Sequence, residues 1–449
     1  MHAPRLSLSV ILPCLTGALA LTTLTACPEQ DCDGPCTPSP TERRDMGMFM
    51  RPDLSIIGNP RDKDMEPDEG MIDPADADPD LTSGSLLDQS IITSEFGSDH
   101  NFPQLHMRST SVEQVTIVRD FSQPARFVQL IRANMDTWGI EEAFLDTLMN
   151  QATQLLGHDQ LEPPSAIYQS AANQDIYLAT LNADGQWEAS PVTGAIAGST
   201  EVSLQALARR GDTHAVAMLR PAGNTNELVV FIQTGPTSWS EPVIIAPQSD
   251  TWTIESADVA LDANGTAHIV YAEARPDQNF TGGKDSRVAY RSSLQSESTD
   301  IFKGGAYEHR PTILVTQAGR VQVFYRSSED LRALPLNTGS YSLDARTLEP
   351  GGSQWSDPRS LRNDMMYYNA IEGPDGGSVL VGSDPSGDLF LRLYRNRTWG
   401  NLQTIKADYL AIPTSDTNHH LDASFDSSGN AHIVYRTRDT ELAYVVYRP

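Results

Sequence analysis

The chain has 449 residues and a formal net charge of −27, from 32 Lys and Arg against 59 Asp and Glu. This acidic balance argues against a nucleic-acid-binding protein, because phosphate backbones attract clusters of Lys and Arg. The length is sufficient for two or three average domains or for one large repeat fold.

The first 26 residues have the features of an export signal. A cationic start at Arg5 precedes an apolar run over residues 6–21, which is short for a membrane-spanning helix and contains Pro13. The sequence Leu-Thr-Ala-Cys at Leu24–Cys27 resembles the lipobox of bacterial lipoproteins, in which the signal is removed and the new N-terminal cysteine receives lipid. The resemblance implies that Cys27 anchors the chain to a membrane; ordinary secretion is the alternative.

Pro28 and Glu29 follow Cys27, whereas an aspartate at this place is the usual signal for retention in the inner membrane. We therefore expect a lipid-anchored protein of the bacterial cell envelope, in the outer membrane. Cys32 and Cys36 are the remaining cysteines of the exported chain, and in an oxidising compartment they can close a small disulfide loop, although spacing alone does not establish the bond.

Residues 27–85 are predicted to form a disordered tether. The segment is rich in Pro, Asp and Glu and has one aromatic residue, Phe49, so it buries too little apolar surface to offset the entropy of ordering. Asp76, Asp78 and Asp80 have the spacing of the first ligands of a calcium loop, but Leu81 stands at the glycine position. We interpret these aspartates as part of a solvated linker, with a weak calcium site as the alternative.

The remaining chain, residues 86–449, contains a degenerate repeat of about fifty residues. Its clearest copies are Ser256–Tyr271 and His420–Tyr435, each an alternating strand, an Asp-x-x-Gly turn and a second strand that starts at a histidine. Their glycines, Gly265 and Gly429, suit the positive φ of tight turns. His214, His268 and His432 share one repeat position, for which we predict a hydrogen-bonding or packing role rather than a metal site.

A third strand and a tryptophan follow in each repeat. The tryptophans that open a fourth strand are separated by 49, 52, 116 and 44 residues, and Trp252 falls outside this series. They are Trp138, Trp187, Trp239, Trp355 and Trp399.

Four short antiparallel strands per repeat predict an all-β fold, a β-propeller of four-stranded blades. We expect seven blades, with six and eight as alternatives. Gln89–Phe96 is expected to supply the outer strand that the last repeat lacks, which joins the two ends of the domain. The predicted blades are residues 101–144, 145–195, 196–248, 249–303, 304–361, 362–408 and 409–449.

The pattern Asp-x-x-Gly-x-x-His-Ile-Val-Tyr, followed by a strand and Gly/Ser-x-Trp, resembles the sialidase-like (BNR-repeat) propellers of bacterial surface lipoproteins. The strict Asp-box of sialidases, Ser-x-Asp-x-Gly-x-x-Trp, has no complete copy here. The resemblance therefore implies the fold more directly than it implies an enzyme.

Propellers usually bind ligands at the mouth of the central channel, on the loops that lead into the innermost strands and on those between second and third strands. Arginines and tyrosines gathered there favour a carboxylate or sugar ligand, because guanidinium binds carboxylate in a two-pronged fork. The candidate ligand-binding residues are His309, Arg310, Arg326, Tyr367, Tyr368, Asn369, His419, His420, Arg436, Asp258 and Asp422.

These residues predict a non-enzymatic propeller that binds a glycan, peptide or protein at the mouth. One alternative is a surface exo-glycosidase of sialidase type, and another is a structural scaffold without a small ligand. The sequence has no Gly-x-Ser-x-Gly, phosphate-binding loop or His-Glu-x-x-His, so no cofactor or metal centre is expected. A sialidase would draw on Arg310, Arg326, Arg436, Tyr367, Glu273 and Asp422.

Overall fold

The structure, a computed structural model, describes residues 84–93, 100–109, 112–119, 126–134, 137–141, 153–156, 165–170, 173, 175–182, 187–192, 202–276, 284–304, 309–327, 342–363, 367–408, 410–411, 421–439 and 441–449. The predictions for the signal peptide, the tether up to residue 83, the three cysteines Cys27, Cys32 and Cys36, and the aspartates Asp76, Asp78 and Asp80 lie outside these residues, as do His419 and His420. Ser85, the last residue of the predicted tether, is the first residue of a strand. Among the described residues, no helix has the length and apolar character needed to cross a membrane.

The described part of the chain is built from β-strands. In chain order they are β1 (Ser85–Thr93), β2 (His100–Ser109), β3 (Val112–Arg119), β4 (Arg126–Asn134), β5 (Thr137–Glu141), β6 (Thr153–Leu156), β7 (Ser165–Gln169), β8 (Ile176–Leu181), β9 (Trp187–Pro191), β10 (Ser203–Arg210), β11 (Thr213–Ala222), β12 (Thr225–Gly235), β13 (Ser238–Trp239), β14 (Val243–Ile245) and β15 (Thr253–Leu261). The later strands are β16 (Ala267–Pro276), β17 (Lys284–Ser292), β18 (Thr299–Gly304), β19 (Thr312–Val315), β20 (Val321–Ser327), β21 (Ser342–Leu348), β22 (Arg359–Asn363), β23 (Tyr367–Glu372), β24 (Ser378–Ser383), β25 (Leu389–Arg395), β26 (Thr398–Trp399), β27 (Gln403–Ile405), β28 (Leu421–Phe425), β29 (Ala431–Arg436) and β30 (Leu442–Arg448).

Within the described residues these strands form seven small antiparallel sheets: β2–β5, β6–β9, β10–β14, β15–β18, β19–β22, β23–β27, and β28–β30 with β1. The innermost strand of each sheet contacts the innermost strand of the next sheet, and the last of them contacts the first, so the sheets close into a ring. In order, these innermost strands are β2, β6, β10, β15, β19, β23 and β28. The prediction of an all-β propeller with four-stranded antiparallel blades is confirmed.

Hydrophobic side chains fill the spaces between neighbouring sheets. Ile371 and Val381 of one sheet, for example, share a buried cluster with Phe425 and Ile433 of the next. Three of the tryptophans in the repeat series lie near or at the start of a fourth strand and meet an aromatic ring of the preceding sheet edge-on or tilted. The pairs, with ring-centroid distances, are Trp138–Tyr444 at 5.2 Å, Trp355–Tyr290 at 4.9 Å and Trp399–Phe324 at 5.9 Å.

The N-terminal strand β1 completes the last sheet, as predicted, although it begins four residues earlier than Gln89. It pairs antiparallel with β30 along its length, from Ser85 opposite Arg448 to Thr93 opposite Leu442. Its Asp88 also forms an ion pair with Arg132 of the first sheet, at 2.6 Å between Oδ2 and Nη2. One strand thus connects the last sheet of the ring to the first.

The ring has two distinct faces. We call the edge at which the innermost strands begin the mouth face; second strands end there and third strands begin there. The opposite edge, the turn face, carries the tight turns between first and second strands, whose glycines have positive φ as predicted. In the described turns these are Gly211, Gly265, Gly319, Gly376 and Gly429, with φ of 55°, 76°, 79°, 74° and 81°.

The repeated histidines connect strands, which confirms the predicted hydrogen-bonding role. His268 lies between a turn and a third strand, with Nδ1 2.8 Å from Tyr290 Oη and Nε2 3.6 Å from Asp262 Oδ2. His432 makes the equivalent contacts to Tyr444 and Asp426. The third member, His214, lies between Gln233 and Ser165 of the neighbouring sheet.

Candidate ligand site at the channel mouth

A buried histidine fixes the backbone directly before β19. Nδ1 of His309 donates to the carbonyl of Arg326 at 2.7 Å, and its Nε2 lies 2.7 Å from Ser286 Oγ of the neighbouring sheet. Arg326 N–H in turn donates to the His309 carbonyl at 2.8 Å. Burial lowers the pKa of His309 to about 4, although the hydrogen bond to Arg326 opposes this shift. His309 is therefore neutral at pH 7 and acts as an internal support rather than as a ligand-facing cation.

Arg310, the next residue, has a left-handed backbone with φ of 42°. A non-glycine residue rarely adopts this conformation, and it persists only where neighbouring contacts enforce it. The enforcing contact comes from the next sheet, because the Tyr368 hydroxyl donates to the Arg310 carbonyl. Arg310 is thus held at the mouth face, half-buried, in one backbone conformation.

Tyr368 lies at the centre of a polar cluster at the mouth. Burial raises the pKa of its phenol above the usual value, while Arg326, Thr312 and Arg310 oppose the shift and Asp258 adds to it. The phenol is therefore neutral and able to donate its proton to the Arg310 carbonyl. Four of the side chains predicted for the ligand site, Asp258, Arg310, Arg326 and Tyr368, are in this way brought together from three neighbouring sheets.

Asp258 and Asp422, two of the candidate ligand-binding residues, form hydrogen bonds to neighbouring sheets. Each carboxylate reaches sideways to the innermost strand of the next sheet. Asp258 accepts from the N–H of Ile313 at 2.9 Å, and Asp422 accepts from the N–H of Leu105 at 2.8 Å. The amide of Asn369 donates to Asp422 across the preceding junction at 2.6 Å. Inward-facing positions of the repeat thus join the sheets to one another.

The carboxyl of Asp258 makes stability depend on pH. Burial raises its pKa to about 6, although N–H groups of Ile313 and Val259 oppose the shift. The folded state therefore retains a proton that the unfolded chain loses near pH 4, so stability falls as pH rises from about 4 through 6.

We expect Asp258→Asn to remove this dependence. Relative to the wild type, the variant should gain about 2–3 kcal/mol in free energy of unfolding between pH 4 and pH 7, since one pKa unit corresponds to about 1.4 kcal/mol. Urea unfolding at several pH values measures it, with Asp250→Asn, an exposed carboxylate in the loop before β15, as the control. A constant difference between Asp258→Asn and wild type would show that Asp258 titrates normally.

The other predicted site residues are buried to different degrees. Arg326 and Arg436 lie near or at the ends of the second strands β20 and β29 and are 3% and 9% exposed. Tyr367 is 2% exposed at the start of β23. Arg436 belongs to the last sheet, which is separated from that of Arg326 by the sheet β23–β27.

Glu273 lies in a buried ion-pair network within one sheet. Its carboxylate accepts from Arg287 and from the N–H of Gln248, the latter at 3.1 Å, and it has no exposed surface. Arg287 also donates to Asp300 at 2.8 Å. Burial raises the pKa of Glu273 in spite of the charge of Arg287. Sequence reasoning did not identify Arg287 as its partner, because the pairing depends on the register between β16 and β17.

Residues proposed for a sialidase are thus spread over four sheets. Arg310 and Arg326 approach one tyrosine, whereas Glu273 and Asp422 are engaged with backbone N–H groups and side chains of the scaffold. Within the described residues, no group of three His, Cys, Asp or Glu side chains is arranged to hold a metal ion.

No family model and no curated protein matches this chain. Among solved structures it is similar to a protein of unknown function from Dyadobacter fermentans (11% identity, 82% of this chain and 100% of that chain, TM-score 0.48). It is also similar to an α-L-arabinanase from Penicillium chrysogenum (13% identity, 81% of this chain and 98% of that chain, TM-score 0.45). A third similar structure is a Trypanosoma rangeli sialidase (11% identity, 81% of this chain and 59% of that chain, TM-score 0.38). Fold similarity at this level does not carry over an activity, because propellers host unrelated functions.

Proposed function

We propose that this protein is a lipid-anchored propeller of the bacterial cell envelope that binds an acidic glycan at its mouth face without cleaving it. The observation that carries the proposal is the fixed, left-handed backbone of Arg310. Strained backbone that neighbouring contacts maintain is concentrated at functional sites, and Tyr368 and His309 both support it here.

The chemistry of the cluster favours an anionic ligand. A guanidinium group binds carboxylate or sulfate in a bidentate manner, and a half-buried arginine does so with less competition from water. Because His309 and Arg310 are already held by these contacts, little conformational entropy is lost when the ligand binds. The positive charge of Arg326 also acts on the Tyr368 phenol.

The surroundings of the carboxylates support binding without turnover. A glycosidase needs an acid and a base or nucleophile that reach the substrate. Glu273 is instead completely buried against Arg287, and both oxygens of Asp422 accept hydrogen bonds from the neighbouring sheets.

A glycan array probed with the full chain tests the binding. We expect the array to retain acidic glycans. Arg310→Gln should weaken their binding about 10–100-fold, because it removes a charge-assisted hydrogen bond. Arg397→Gln is the matched control, because Arg397 also has a positive φ, of 64°, but lies in the β25–β26 turn on the opposite face. Equal losses in the two variants, or an array without acidic ligands, would contradict the proposal.

The same ligands separate the proposal from the exo-glycosidase alternative. Incubation of bound glycans with the wild-type chain should release no free sugar. Sugar release that persists in Arg397→Gln and is lost in Arg310→Gln would establish the enzyme instead.

The anchoring part of the proposal is supported by the sequence around Cys27. Cys27→Ser is expected to abolish incorporation of an alkyne-labelled fatty acid and to move the protein from the membrane fraction to the soluble fraction. A Cys32→Ser variant, which retains the proposed lipid site, is the control. Lipid labelling that survives in Cys27→Ser would rule out this anchor.

A further inference from the structure

Trp252 is a tryptophan of the mouth face that the repeat does not account for. It directly precedes the innermost strand β15, whereas the tryptophans of the repeat series stand near or at the start of outer strands. Trp138, Trp355 and Trp399 pack against aromatic rings of the neighbouring sheet. Trp252 is half-buried and instead meets the guanidinium group of Arg275, at 5.2 Å from the ring centroid.

Arg275 is held over the ring by an acidic partner. Its Nε and Nη2 donate to the same oxygen of Asp285 at 2.9 and 2.8 Å, and the two residues are opposite each other in the register of β16 and β17. Their side chains are 40% and 47% exposed, so the pair lies at the surface beside the indole. The two charges compensate each other, so a neutral polar pair covers one face of the partly exposed indole.

The loop that carries Trp252 is fixed by its own hydrogen bonds. Trp252 N–H donates to the carbonyl of Ser249 at 2.9 Å, and the hydroxyls of Ser249 and Thr251 are 3.1 Å apart. The next residue, Thr253, accepts from the N–H of Asn226 in the preceding sheet at 3.2 Å. The indole is therefore presented from a defined backbone rather than from a free loop.

Trp252 and Arg310 lie on neighbouring sectors of the mouth. Each stands in the loop before an innermost strand, β15 for Trp252 and β19 for Arg310, and these strands are joined by the hydrogen bond from Ile313 to Asp258. A ligand that places its charge on Arg310 can thus extend over the adjoining sheet toward Trp252.

We propose that Trp252, which carries Arg275 over one face of its indole, is a second subsite that stacks an uncharged face of a sugar ring on the other face, next to the ring whose acid group binds Arg310. The apolar C–H face of a pyranose suits an indole surface, and its hydroxyls suit the neighbouring Arg275–Asp285 pair. The inference rests on the proposed glycan binding and extends it to a ligand of at least two sugar units.

Calorimetric titration of the full chain with acidic monosaccharides and their linear trimers tests the subsite. The probes are galacturonate, glucuronate and N-acetylneuraminate. We expect a trimer to bind more tightly than its monomer, and Trp252→Ala to weaken the trimer about 5–10-fold while leaving the monomer within about twofold. Trp252→Phe, which retains an aromatic surface, should restore most of the trimer affinity, and unfolding of each variant checks that it is folded.

The outcomes distinguish the two proposals. If Arg310→Gln lowers the affinity for the trimer and Trp252→Ala does not, the subsite is overturned while the proposed function stands. Trimers that bind no more tightly than monomers to the wild type also overturn the subsite. Monomer affinity that falls as much as trimer affinity in Trp252→Ala assigns the tryptophan to the fold, which again overturns it.

Discussion

Arg132→Met is expected to lower the free energy of unfolding by about 3 kcal/mol, because it opens the junction at which the ring closes. The Arg132 side chain is 6% exposed and donates to Asp88 of β1 at 2.6 Å. Its guanidinium also lies 5.3 Å from the ring centroid of Tyr444 and 5.9 Å from that of Trp138. Methionine retains apolar volume but loses the ion pair and both cation–π contacts of a buried guanidinium, whereas Asp88, whose side chain is 40% exposed, remains solvated.

Chemical denaturation measures this loss. The control is Lys303→Met, which breaks an ion pair between Lys303 and Asp300. The Lys303 side chain is 62% exposed, and exposed pairs of this kind contribute at most about 1 kcal/mol to the free energy of unfolding. If the two variants unfold at the same denaturant concentration, β1 is not held by Arg132. Exposure of β30 as an unpaired edge would further predict association of the Arg132→Met chain at high concentration.

The second large effect is expected at Gly387, in the turn between β24 and β25. Its φ is 84°, and a Cβ added there would lie 2.6 Å from the carbonyl oxygen of Ala411. The backbone of Ala411 cannot move away freely, because its N–H donates to the Gly387 carbonyl at 2.9 Å. Gly387→Ala therefore combines backbone strain of about 1 kcal/mol with a steric clash, and we expect a loss of more than about 3 kcal/mol.

Gly211→Ala separates the two contributions. Gly211 also has a positive φ, of 55°, but a Cβ there meets no atom within 4 Å. We expect this variant to lose only the strain of about 1 kcal/mol. Thermal and urea unfolding of both variants give the comparison, and equal losses would mean that the contact with Ala411 relaxes without cost.

The sequence predicted the periodic features of this fold well, because each has a local cause. The Asp-x-x-Gly turns around Gly265 and Gly429 and the spacing of the tryptophans recur along the sequence. The last repeat lacks a fourth strand, which indicated that residues before the first repeat supply it. The shift of that strand from Gln89 to Ser85 has a cause outside the local pattern. Its register is set by pairing with β30, more than 300 residues away in the sequence.

The site was harder to predict, because it depends on how one sheet meets the next. The alternation of residues along β15 indicates on which side of the strand Asp258 lies. Only the position of β19 in the neighbouring sheet shows that the Asp258 carboxylate accepts a hydrogen bond from Ile313 N–H. Glu273 was a candidate catalytic residue from the sequence, but the register between β16 and β17 places Arg287 beside it and the two form an ion pair. Trp252 did carry a signal, since it broke the tryptophan spacing, and that irregularity coincides with its place on the mouth face.

The direction of β1 has a consequence for access to the mouth. Ser85 pairs with Arg448, whose guanidinium approaches Asn430 in a turn of the opposite face, so the described chain starts at the turn face. Ser85, where β1 begins, therefore lies on the side of the ring remote from Arg310 and Trp252. A polysaccharide that binds at the mouth face, as proposed, thus approaches the ring from the side opposite the start of β1.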